Sequence, residues 1–265
     1  MDLGLAGATA AVQGGTQGMG RAAAECFARD GAKVAVIART RADLDSTVER
    51  LLALGASDAV GIEADITAAE QVDAAFRQIG ERWDGRLNIL VNATGPAGLG
   101  GFEQLTDTDW QATIDLGAMG MVRCVRAALP LLRAAEWARI VNVAAHSTKR
   151  QTPGLVAYTA AKSMVTSITK NLSQTLAKDE ILVNTVSPGS FATEALKGWA
   201  GTVGIDPDDL YAVMDGIDKH FGHPAFLPRA GDPDEIGPVI AFVASRRNSY
   251  MTGANINVDG GSDFC

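Results

Sequence analysis

Aromatic residues make up only 6% of this 265-residue chain, and it has three cysteines and three histidines. Cys26, Cys124 and Cys265 are odd in number and widely spaced, which excludes a disulfide framework and fits a reducing compartment. No Cys/His spacing suits a zinc site, so no metal is expected. Positive charge is short as well: 23 Lys and Arg against 31 Asp and Glu leave a net charge of −8. A nucleic-acid partner needs a basic face, and this balance argues against one. No basic residue precedes Arg21, so the charged start of a secretory signal is missing. Apolar runs such as "VAVIA" (34–38) are far too short to span a bilayer. These absences predict a soluble, cytoplasmic protein with no membrane partner.

What the chain does have is small and apolar. It is 47% hydrophobic and contains 29 glycines, enough for a full core with tight helix–sheet packing. "ATAAVQGG" (8–15) reads as a short strand broken by glycines. It opens into a helix with Met19, Ala23, Cys26 and Phe27 at helical spacing and Gly31 as its C-cap. "KVAVIA" (33–38), "AVGIEAD" (59–65), "LNILVNA" (87–93), "ARIVNVAA" (138–145) and "ILVNTVSPG" (181–189) are further strands. Amphipathic helices separate them, the longest expected over Trp110–Leu132 and Tyr158–Ala177, and a last helix (Asp234–Ala244) and strand ("GANINVDGG") close the chain. Alternating strand and helix predict one doubly wound α/β domain around a parallel sheet. Residues 190–230 interrupt the rhythm with prolines but keep hydrophobic residues such as Leu196, Trp199, Phe221 and Phe226. That segment reads as a loop-and-helix insertion, either walling a pocket or packing on itself.

Chemistry concentrates at the strand ends. "QGGTQGMG" places Gly14, Gly18 and Gly20 at a strand–helix turn, with Thr16, Gln17 and Met19 between them. Glycines there let a diphosphate approach backbone N–H groups at the positive end of a helix. The second strand ends in Arg39 and Arg41, where an acid would select an unphosphorylated ribose. Two arginines instead favour NADP(H) over NAD(H), by charge-assisted bonds to a 2′-phosphate. Asp65, followed by Ile66, ends the third strand, and Asn92, Ala93, Thr94 and Gly95 end the fourth, where such sheets bind ligands. Tyr158 and Lys162 share a helix face at i and i+4, so the lysine can tune the phenol for proton transfer.

Together these pieces resemble the short-chain dehydrogenase/reductase family over nearly the whole chain. The motifs "GGTQGMG", "ADI", "LVNATG", "RIVNVAA", "YTAAK", "VNTVSPG" and "TGANINVDGG" stand in family order. The resemblance implies a single Rossmann-like domain with a seven-stranded parallel sheet, a nicotinamide cofactor, and a homodimer or homotetramer. It implies that Lys162 binds the nicotinamide ribose and that Tyr158 exchanges the substrate's hydroxyl proton. Pro188, Gly189, Phe191 and Thr193 would wrap the cofactor, with 190–230 as the substrate lid. "GAMGMVRCVRAALPLL" (117–132) looks too apolar all round for one chain to bury, which supports an oligomer.

The departures are specific. Counting back thirteen residues from Tyr158, to the family's substrate-binding serine, gives Ala145. Seven residues after Trp110, at its proton-relay asparagine, stands Gly117, and Gln13 replaces the threonine before the glycine turn. Ser147, ahead of His146, is the expected substitute for the missing serine. Three readings follow: a carbonyl reductase or alcohol dehydrogenase on an apolar or acyl substrate, a cofactor-binding but inactive sensor or subunit, and a C=C reductase.

Overall fold

In the computed structural model, which describes residues 2–96 and 99–263, seven parallel strands form one sheet in the order β3-β2-β1-β4-β5-β6-β7. The strands are β1 Thr9–Gln13, β2 Lys33–Ala38, β3 Asp58–Glu63, β4 Ile89–Asn92, β5 Ala138–Val143, β6 Ile181–Pro188 and β7 Asn255–Val258. Continuous β-branched and small apolar residues suit strands buried on both faces, and β1, β4 and β5 are buried throughout. Cys265 lies outside the described residues.

Helices α1 (Gly18–Arg29), α2 (Arg41–Leu54) and α9 (Pro233–Ala244) cover one face, around Phe27, Leu44, Leu51, Ile236 and Ile240. Helices α3 (Ala69–Arg82), α5 (Gly120–Ala134) and α6 (Val156–Thr175) cover the other, around Phe76, Ile79, Leu132 and Val165. The insertion carries α7 (Glu194–Thr202) and α8 (Leu210–Phe221).

Two expectations need correction. The helix expected over Trp110–Leu132 is interrupted: α4 (Asp107–Ile114) passes into α5 through a π-helical segment, Asp115–Met119, that contains Gly117. A π-bulge inserts an extra residue per turn and re-aims the side chains beside it. One chain also shelters much of the apolar α5. Met121, Cys124, Val125, Ala128 and Leu132 are buried, and Val122, Ala127, Leu129 and Leu131 are partly buried against the same core. Among the described residues, no helix is long and apolar enough to cross a membrane.

Candidate active site

The sheet order reverses between β1 and β4, because β2 and β3 lie on one side and β5 to β7 on the other. At the carboxyl ends of these strands is a cavity of about 510 Å³, within the usual size of small-molecule sites.

The glycine turn forms one wall. Gly14 (φ +75°) and Gly18 (φ +51°) adopt left-handed backbone that other residues avoid. A Cβ on Gly20 would run into the Gly14 carbonyl, so the turn closes only on glycine. Gly14, Thr16, Gln17, Gly18 and Met19 line the cavity, whereas Gly20 does not, and α1 points its N-terminus at it. Glu194, at the start of α7, accepts the Gly18 N–H at 2.9 Å and pairs with Arg21 at 2.9 Å.

The two arginines part company. Arg39 lines the cavity and makes no ion pair among the described residues, although its charge helps hold the Asp65 carboxyl low. Arg41 does not line it. As the first residue of α2 it leaves with the helix, pairs with Asp45 at 2.6 Å and reaches the Gly61 carbonyl at 3.4 Å. Asp65 and Ile66 line the cavity two and three residues beyond β3. The Asp65 carboxyl is held below its usual range chiefly by the Thr67 N–H and hydroxyl, at 2.9 and 2.8 Å.

Ala93, Thr94 and Gly95 line the cavity; Asn92 does not. Its Nδ2 donates to Asn142 Oδ1 at 2.8 Å, and Asn142 Nδ2 donates to Thr169 Oγ1 at 2.9 Å. That buried ladder joins β4, β5 and α6 behind the cavity. Lys162 is 2% exposed, and its Nζ donates to the carbonyls of Val143 (2.8 Å) and Thr94 (3.3 Å). Burial lowers its pKa to about 8. Tyr158 lines the cavity, and burial raises its phenol to about 12. Its hydroxyl has no protein hydrogen-bond partner among the described residues, so it is available to a ligand.

The expected substitute for the serine is not in the cavity. Residues His146–Thr148 form a 3₁₀ turn after β5, which carries Ser147 back toward α6. Ser147 is 1% exposed, and its Oγ accepts from Thr159 at 3.2 Å. His146 points Nδ1 at the Pro188 carbonyl, 3.2 Å away, so Nδ1 carries the proton and the neutral ring has no second hydrogen to donate. Its ring meets His223 edge-to-face at 5.0 Å, and neither Nε2 has a partner among the described residues.

Both imidazoles are held neutral, chiefly by burial. His146 also feels Arg150, against the opposing charges of Asp259 and Asp263; His223 falls to about 4, with His146 and Arg150 adding to the effect. The unfolded chain therefore binds protons first as pH falls below 6.5. The stability is complete above that value and is lost as pH falls toward the folded pKa. Urea unfolding at pH 7.5 and pH 5 should show this loss, and His223→Phe should shrink it; an unchanged slope would refute the assignment.

Gly117, the position at which the resemblance implies an asparagine, sits in filled space. A Cβ there would lie 2.8 Å from Pro96 Cγ, 2.9 Å from its Cδ and 3.0 Å from Ala161 Cβ. Pro96, a cavity residue, thus occupies the space beside the π-helical segment.

Beyond β6, Thr193 lines the cavity while Pro188, Gly189 and Phe191 do not. A Cβ on Gly189 would lie 2.7 Å from Asp259 Cα, so this glycine serves a close crossing of backbones. Phe191 is buried in the core. Leu196, Trp199 and Leu210 pack on Ala200, Val213 and Ala230 as a small core of the insertion's own, with Phe221 against Trp199 at 5.2 Å. Phe226 is 71% exposed, so none of these aromatics walls this cavity. Among the lining residues that sequence reasoning missed are Pro96, Leu116, Asp43 and Glu194. Of these Pro96 and Glu194, next to the expected Gly95 and Thr193, carried a positional signal.

The family profile described as enoyl-(acyl carrier protein) reductase matches residues 14–263. An uncharacterised oxidoreductase of Methylorubrum extorquens is 33% identical over 262 residues, covering 97% of this chain and 98% of that protein. A 3-oxoacyl-[acyl-carrier-protein] reductase of Synechocystis is 30% identical over 259 residues, covering 97% of each. L-sorbose reductase from Gluconobacter frateurii, solved with NADPH and L-sorbose, superposes with a TM-score of 0.90 at 28% identity over all of both chains.

Proposed function

The chain belongs to the short-chain dehydrogenase/reductase family of oxidoreductases, and from that premise we propose that it is an NADP(H)-dependent enzyme interconverting a carbonyl and a secondary alcohol. An apolar small molecule or an acyl compound is the proposed substrate. The observation that carries the reading is Tyr158, its hydroxyl unpartnered in the cavity, four residues from a buried Lys162.

The residues fit a dinucleotide. The glycine turn and α1 N-terminus would hold the diphosphate, Arg39 the 2′-phosphate, Asp65 and Ile66 the adenine end, and Lys162, itself outside the cavity lining, would reach the nicotinamide ribose. When bound, the cofactor supplies or accepts the hydride. Tyr158 handles the proton: with its phenol near 12 it stays protonated at neutral pH, the state that donates to a developing alkoxide.

The test is a panel of ketones and 3-oxoacyl thioesters with NADPH, run on the wild-type chain beside Ala145→Ser. Turnover of a carbonyl by the wild type supports the reading. No wild-type turnover, with activity appearing in Ala145→Ser, would replace it with a cofactor-binding, inactive protein. The enoyl description of the matching profile and the methyl of Ala145 in place of a hydroxyl favour a second reading, reduction of an activated C=C bond. An enoyl thioester in the same panel separates the two.

The cofactor preference rests on Arg39 alone. Arg39→Ala should weaken NADPH by about 10-fold or more and leave NADH nearly unchanged, while Arg41→Ala should change neither. Titration calorimetry would overturn this if NADH bound the wild type as tightly as NADPH. Association of identical chains is part of the proposal, through half-buried α5 residues such as Val122 and Leu129. Sedimentation velocity at micromolar concentration should then show a species heavier than one chain; a monomer alone would remove it.

A further inference from the structure

Gln13 ends β1 and is 4% exposed, and both polar atoms of its side chain engage Thr94. Its Oε1 accepts the Thr94 backbone N–H at 3.2 Å, and its Nε2 donates to Thr94 Oγ1. The first bond fixes the orientation of the amide, since only the oxygen can accept from an N–H. The nitrogen therefore faces the hydroxyl. A hydroxyl that accepts the amide hydrogen keeps its own hydrogen for another acceptor.

That hydroxyl stands at the centre of the site. A Cβ on Gly14 would come within 2.6 Å of Thr94 Oγ1, so the oxygen lies directly against the glycine turn. Thr94 lines the cavity, and its carbonyl accepts from Lys162 Nζ at 3.3 Å. The bridge is not needed to hold β1 to β4. The two strands are already registered from Ala10↔Ile89 to Gln13↔Asn92, and the Ala93 N–H donates to the Gln13 carbonyl at 2.9 Å.

We propose that Gln13 is a positioning residue, which holds Thr94 so that its hydroxyl hydrogen is presented to an oxygen of the bound dinucleotide. Thr94 then makes the contact, and Gln13 acts through it. The same clamp fixes the Thr94 carbonyl that steadies Lys162. This inference rests on the NADP(H) reading above. It gives Gln13, which stands where the family resemblance implies a threonine, a purpose, because Thr94 supplies its partner.

The experiment is a double-mutant cycle on the full chain, with NADPH affinity measured by calorimetry. Gln13→Met keeps the length and burial but removes both polar atoms; Thr94→Val keeps the shape but removes the hydroxyl. Each should weaken NADPH about 10-fold, the scale of one hydrogen bond to a charged or strongly polar ligand. The double variant should be no weaker than the weaker single, since both remove the same donor. Thr94→Ser should bind within about twofold of wild type. Additive losses, or wild-type affinity in Gln13→Met, overturn the proposal. Should Gln13→Met fail to fold, Thr94→Val against Thr94→Ser carries the comparison, and equal affinities overturn it. A wild-type chain that binds neither NADPH nor NADH instead overturns the cofactor reading.

Discussion

Replacing Tyr158 with phenylalanine is expected to lower kcat about 1,000-fold while leaving the Kd for NADPH within about twofold, because a positioned general acid contributes on that scale. The substitution removes one oxygen and keeps the ring that lines the cavity, so the walls should stay in place. That oxygen has no protein partner to orphan among the described residues, so stability should hardly change. The loss therefore reports on chemistry. Steady-state kinetics on any carbonyl turned over by the wild type, with calorimetry for the cofactor, gives both numbers. Unchanged turnover in Tyr158→Phe would mean that another group delivers the proton.

Gly117→Asn introduces the residue type that the family resemblance implies at this position, yet it is expected to harm the protein. The new Cβ would meet Pro96 at 2.8 and 2.9 Å and Ala161 at 3.0 Å. Gly117 is buried, and both neighbours are stiff: a proline ring and a Cβ on α6. Overpacking of this kind costs about 1–3 kcal/mol. For a chain of this size the melting temperature should fall by roughly 2–10 °C. Pro96→Ala in the same chain should recover a good part of that, since two of the three close atoms belong to the proline ring. Turnover should not rise in the single variant. A stable, faster Gly117→Asn enzyme would show that Pro96 yields and that the relay can be rebuilt.

Much of this was legible because it depends on local chemistry. The alternation of strand and helix, the glycine turn, and the i, i+4 spacing of Tyr158 and Lys162 are written in residue types at short range. The parallel seven-stranded sheet and the placement of Gly14, Gly18, Arg39, Asp65, Thr94 and Tyr158 on one cavity follow the expectation. Arg41 misled because its neighbour in sequence is not its neighbour in space. Once α2 starts at Arg41, the helical period brings Asp45 to it and takes it away from the cavity. Ser147 misled for a similar reason, since a 3₁₀ turn of three residues set the direction of its hydroxyl.

By itself, then, the sequence determined the family, the layered α/β architecture and the i, i+4 pairing of Tyr158 with Lys162, because period, turn chemistry and motif order do not wait on distant contacts. Only the tertiary structure decided which arginine faces the cavity, that Trp199 and Phe221 pack within the insertion, and what surrounds residues 13 and 117. Gln13 and Thr94 are 81 residues apart, and Pro96 reaches Gly117 only where the end of β4 meets the π-helical segment. Those answers rest on side chains that meet across the sheet and on space already filled, and neither can be read along a chain.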